Sequence, residues 1–124
     1  MIVDDEETVL KLFRMILTAD LPECQIDLAR NGAEAVDLFL KRSHNVLLMD
    51  LHMPVMDGQE AFMEIRRICE MRHQTMPSVV FCTGFAPPQA LQAIVNQSEI
   101  HTLLAKPVTG DTLVRAIRDR LHPA

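Results

Sequence analysis

The stretch NVLLMDLHMPVMDG, residues 45–58, decides how this chain is read. Val46, Leu47, Leu48 and Met49 form an apolar run without polar alternation, the pattern of a strand covered on both faces. The run stops at one acid, Asp50. Pro54 and the Asp57-Gly58 pair then mark a loop. A doubly covered strand belongs to a parallel sheet flanked by helices. A carboxylate at the end of such a strand needs a partner or a task.

Working outward, short apolar runs alternate with helix-period segments. Strands are expected over 1–4, 24–29, 45–50, 78–82 and 100–104. The helix over 6–19 has the stripe Val9, Phe13, Ile16, Leu17, and that over 33–42 has Ala35, Val36, Phe39, Leu40. Over 58–71 the stripe is Phe62, Ile65, Ile68, Cys69; over 87–97 it is Leu91, Ile94, Val95; over 110–121 it is Leu113, Ile117, Leu121. Asn31-Gly32 punctuates the entry to the second helix, and Thr109 with Thr112 opens the last, with Thr109 or Asp111 near the cap. Residues 70–77 read as a loose polar connection. The alternation predicts an α/β fold, a (βα)5 doubly wound parallel five-stranded sheet, with residues 1–124 as one domain. The first strand is short, so Met1 reads either as an initiator or as an internal residue of something longer.

Composition narrows the classes. Hydrophobic residues are 48% and charged residues 23%, a soluble globular balance. No apolar stretch approaches the ~20 residues that span a bilayer, and residues 1–7 are acidic where a signal peptide is basic. A cytoplasmic protein, a monomer or weak dimer, is expected. A net charge of −5 without a dense Lys/Arg cluster argues against direct nucleic-acid binding. Cys24, Cys69 and Cys82 lack metal-ligand spacing and read as small apolar residues. His44, His73, His101 and His122 share no spacing and read as surface residues.

In open parallel sheets, sites form at the carboxyl ends of the strands. Those ends carry Asp4, Asp5 and Glu6, then Asp50, then Thr83, then Lys106. Singly, each has a dull explanation as a cap, a turn residue or a solvated charge. Together they make a chemical proposal. Three carboxylates in one pocket repel unless a cation joins them. Hard oxygen ligands suit Mg²⁺, and a lysine and a hydroxyl beside the metal suit a phosphoryl group. Asp50 is then a candidate nucleophile that forms an acyl phosphate.

These residues are similar to those of the receiver domain of two-component response regulators, the CheY-like family. The resemblance is carried by IVDDEE at 2–7, LLMDLHMPVMDG at 47–58, FCTGF at 81–85 and LLAKPVT at 103–109. It implies a flavodoxin-like sheet of order 2-1-3-4-5. It implies that a histidine kinase or a histidine phosphotransfer protein phosphorylates Asp50, making a signalling switch rather than a conventional enzyme, read by a downstream effector. Asp5, Asp50 and the backbone carbonyl of His52 would hold Mg²⁺ (with Mn²⁺ as a substitute), and Asp4 would act through water. Thr83 and Lys106 would grip the phosphoryl oxygens. The Lys106–Pro107 bond would be cis. Met53, Pro54 and Gly58 would shape the loop.

The chain departs from the family at Leu103, where an aromatic is usual three residues before the lysine. Weaker coupling to the distal face is expected from that change. His52 and Phe85 occupy positions that tune phosphoryl lifetime in the family. A phosphatase of the haloacid dehalogenase type would need a second acid at position 52, where His stands. A receiver that binds partners without phosphorylation would not need the full set of chemical residues. A nucleotide-binding domain would need a glycine-rich loop, and the four glycines are scattered. The FCTGF and LLAKPVT wording resembles receivers appended to hybrid sensor kinases, with a free-standing regulator as the alternative.

Overall fold

The computed structural model describes residues 1–84, 86–98 and 100–121. The strands are β1 (Ile2–Val3), β2 (Leu28–Ala29), β3 (Val46–Asp50), β4 (Ser78–Thr83) and β5 (Thr102–Ala105). The helices are α1 (Glu7–Asp20), α2 (Gly32–Lys41), α3 (Gly58–Arg72), α4 (Gln89–Asn96) and α5 (Gly110–Leu121). All pairings are parallel, in the order β2-β1-β3-β4-β5, as expected.

Every residue of β3 is buried, which explains its unbroken apolar run. Its side chains nevertheless divide by parity. Leu47 and Met49 join Val79, Phe81 and the apolar faces of α2, α3 and α4 in one core. Val46 and Leu48 join Val80, Cys82, α1 and α5 in the other. The sheet thus separates two cores, and the site residues of several strands meet at its carboxyl edge.

The helix faces needed adjustment. Leu10, outside the expected stripe, is fully buried with Phe13 and Leu17, whereas Val9 and Ile16 are half-buried. Leu40 is exposed, so α2 packs through Ala35, Val36 and Phe39. Val114 replaces Leu121 as a buried residue of α5. β2 is shorter than expected because its ladder needs β1, which offers only Ile2 and Val3. Of residues 70–77, expected as a loose connection, 70–72 belong to α3 and the rest lead to β4. His73 ends α3 in the left-handed region at φ 52°. The Gln74 N–H then closes back on the Cys69 carbonyl at 2.9 Å, a Schellman-type stop.

Two of the four histidines read as surface residues are not. The His44 side chain is enclosed, with Nε2 2.7 Å from Asp27 Oδ2. His101 is buried, its Nδ1 accepting the Val79 N–H at 3.0 Å and its ring set edge-on to Phe62. Burial pushes the His101 imidazole down to about 4, so it serves as a neutral acceptor at the start of β4. His73 is exposed as expected, and His122 lies outside the described residues.

Candidate phosphoacceptor and metal site

Strand register assembles the site. Val3 pairs with Met49, so the next residues along, Asp4 and Asp50, emerge side by side at the carboxyl edge. Both share the parity of Ile2 and Leu48, which face α1 and α5. Asp50 pairs with Cys82, and Thr83 pairs with Ala105, which places Thr83 one step beyond the acid and Lys106 one step beyond β5. The Lys106 N–H donates to the Thr83 carbonyl at 2.8 Å, and the Lys106–Pro107 bond that follows is cis.

Asp4, Asp50 and Thr83 are buried, at 2%, 8% and 3% exposure, while Asp5 is exposed. Carboxylate oxygens of Asp4, Asp5 and Asp50 lie within 4.8 Å of one another. Lys106 Nζ donates to Asp4 Oδ2 at 3.1 Å and stands 3.6 Å from Asp50 Oδ1. Asp4 Oδ1 accepts the Glu6 N–H at 3.0 Å, so this acid also turns the chain into α1. The His52 backbone N–H donates to the Asp50 carboxylate.

The electrostatics are unbalanced. Burial and the Asp4 charge push the Asp50 carboxyl up, with a smaller push from Asp5; Lys106 and the His52 N–H oppose this without cancelling it. Burial pushes the Lys106 ammonium down, but the hydrogen bond to Asp4 and the charges of Asp4 and Asp50 outweigh it, so its pKa is raised. Lys106 is therefore held as a cation. One lysine faces three acids, and a hard divalent cation fits the all-oxygen set they offer. Cys82, beside Asp50 in register, is held as a thiol by burial, its pKa pushed up to about 11.

All six site residues expected from the sequence are at this edge: Asp4, Asp5, Asp50, His52, Thr83 and Lys106. The His52 side chain points outward, and its backbone is what meets Asp50. Phe85 lies outside the described residues. Leu103 is half-buried against the α2–α4 core. Sequence reading missed the frame around the loop. Asp57 caps α3 in a reciprocal box with Glu60, at 2.8 and 3.1 Å. The Gly32 N–H reaches across from α2 to the Met56 carbonyl at 2.8 Å. The box has a sequence signature, an Asp followed three residues later by Glu; the Gly32 bridge has none.

Residues 1–118 match the family model described as response regulator receiver domain. The chain is 31% identical over 122 residues to the transcriptional regulatory protein GlrR of Escherichia coli (strain K12), covering 98% of this chain but 26% of that protein. It therefore spans about a quarter of that relative's length. It is 31% identical over 124 residues to the polar-differentiation response regulator DivK of Brucella anthropi, covering 100% of this chain and 96% of that protein. Among solved structures, a response regulator receiver domain protein from Clostridium thermocellum superposes with a TM-score of 0.75 at 28% identity, covering 97% of this chain and 90% of that one.

Proposed function

The chain belongs to the response regulator receiver domain family, and on that premise we propose that residues 1–124 act as one phosphorylation-controlled switch with Asp50 as its phosphoacceptor. The observation that carries this reading is the mismatch of three clustered carboxylates and one lysine. Such a cluster is costly to the free protein and favourable to a cation and a phosphoryl group.

The donor is a phosphohistidine on a histidine kinase or a histidine phosphotransfer protein. An Asp50 carboxylate oxygen attacks phosphorus. A P–O bond forms, the P–N bond breaks with its electron pair going to the ring nitrogen, and the imidazole leaves neutral, keeping the proton its other nitrogen already carried in the phosphohistidine. Bound Mg²⁺, with Mn²⁺ suiting the same ligands, would neutralise charge on the transferred group. Asp5, Asp50 and the His52 carbonyl would hold that ion, and Asp4 would act through water. Lys106, already poised between Asp4 and Asp50, would take a phosphoryl oxygen. The Thr83 hydroxyl, at the buried end of β4, would take another.

No described helix is long and apolar enough to cross a membrane. We place the switch in the cytoplasm, as a monomer or weak dimer read by a downstream effector. Incubation with acetyl phosphate or phosphoramidate and Mg²⁺ should add one phosphoryl group, read by intact-mass spectrometry. Asp50→Asn should take none. Equal labelling of that variant would move the phosphoacceptor elsewhere.

A further inference from the structure

We propose that Gly32, the first residue of α2, is a positioning residue for the phosphoacceptor loop, and that it acts by holding Val55 in a left-handed turn. The inference rests on the reading of Asp50 as the phosphoacceptor. It starts from the backbone of the loop between β3 and α3. Val55 has φ 70°, and the Met56 N–H donates to the Pro54 carbonyl at 2.7 Å. This is a three-residue γ-turn of the strained hand. A β-branched residue is a genuine outlier there. Val55 gains nothing locally in return, since it is 83% exposed. Something around it must hold the turn.

The constraint comes from both sides. The Gly58 N–H donates to the Leu51 carbonyl at 3.0 Å, and the Asp57–Glu60 box fixes the exit into α3. Between them, the Met56 carbonyl receives the Gly32 N–H at 2.8 Å, one of the donors that α2 cannot satisfy within itself. Gly32 has no left-handed φ. It is a glycine for closeness: a Cβ there would stand 2.6 Å from the Met56 oxygen, 2.8 Å from Met56 Cγ and 3.0 Å from Ala61 Cβ. The same loop carries the His52 N–H that bonds Asp50. An alanine at 32 would therefore push the Met56 carbonyl away. Val55 would relax out of its turn, and the His52 backbone would be drawn off the acid.

The test uses the full chain, isotopically labelled, as wild type, Gly32→Ala, Val55→Gly and the double variant. In metal-free protein, Gly32→Ala should shift the backbone amides of Asp50, Leu51 and His52. With Mg²⁺ and beryllofluoride, it should weaken binding about tenfold or more, the usual cost of losing an outer support. A glycine at 55 sits in the left-handed turn without strain. The double variant should therefore regain part of that affinity, since glycine at 55 needs no hold although the Cβ added at 32 still crowds the Met56 carbonyl, while Val55→Gly alone binds as wild type does. Unmoved amides at 50–52 in Gly32→Ala would overturn the proposal, as would a double variant no tighter than Gly32→Ala. A wild type that fails to bind beryllofluoride would instead count against the Asp50 reading, and the metal-free amides would still decide the role of Gly32. Val55→Asn gives a check that needs no change at Gly32. Asparagine tolerates the left-handed region, so this variant should melt above wild type in EDTA. A lower melt would show that the turn holds no strain.

Discussion

At the amino-terminal edge of the sheet, Asp27 accepts from His44 Nε2 at 2.7 Å and from Arg42 Nη1 at 3.3 Å. At the carboxyl edge, Asp4, Asp5 and Asp50 cluster, and Lys106 reaches Asp4 and Asp50. The first arrangement is balanced. The His44 bond, opposed by burial and aided by Arg42, pulls the Asp27 carboxyl down. Burial, outweighing the Asp27 bond, keeps the His44 imidazole neutral, so it donates through Nε2. The second arrangement is in surplus, and its central acid is pushed the other way. The same residue type at opposite ends of one sheet thus serves opposite purposes. Matched charge closes an edge; unmatched charge leaves it ready for a ligand.

The largest test of that contrast removes Lys106, the cation that reaches the acids at the carboxyl edge. Lys106→Met leaves buried Asp4 without its cation, with only the Glu6 N–H as partner among the described residues, and should cost roughly 2–3 kcal/mol of metal-free stability by urea unfolding, somewhat less than breaking a fully buried pair. A loss no greater than an ordinary surface substitution would mean that Lys106 does not hold the cluster.

Next in size is the balanced edge. Asp27→Ala should cost about 1–2 kcal/mol, because His44 and Arg42 lose their acceptor. A neutral outcome would show that the match at this edge is incidental.

Smallest, and opposite in sign, is Asp50→Asn in EDTA. The folded Asp50 pKa is raised, so its contribution to stability is fully present below the unfolded value near 3.8 and is lost as pH rises through the folded value. At pH 7 the wild type carries that deficit and the asparagine does not. The variant should melt higher at pH 7, and the gain should close as pH falls toward the carboxylate range. A variant that melts lower at pH 7 would show that the acids are not repelling.

The legible part of the molecule was local. The apolar run of β3 ended at Asp50 in the sequence and in space. Asn31 and Thr109 read as helix openings, and each accepts a backbone N–H of its helix, from Glu34 at 2.9 Å and from Thr112 at 3.2 Å. What was missed depended on neighbours far along the chain. Nothing beside His101 in sequence announces that its ring would meet Phe62 and the Val79 N–H. Nothing beside Gly32 announces Met56.

The alternation of strands and helices, the (βα)5 class and the set of polar residues at strand ends are written in the order of the residues. Each of these follows from periodicity and punctuation within a single element. The tertiary structure alone decided which of those polar groups balance. Lys106 meets Asp4 across 102 positions of chain, and that pairing exists only because the registers of β1, β3, β4 and β5 bring their ends to one edge. Periodicity orients a side chain relative to its own element, whereas charge balance is a property of distances between elements, which only the packed sheet sets.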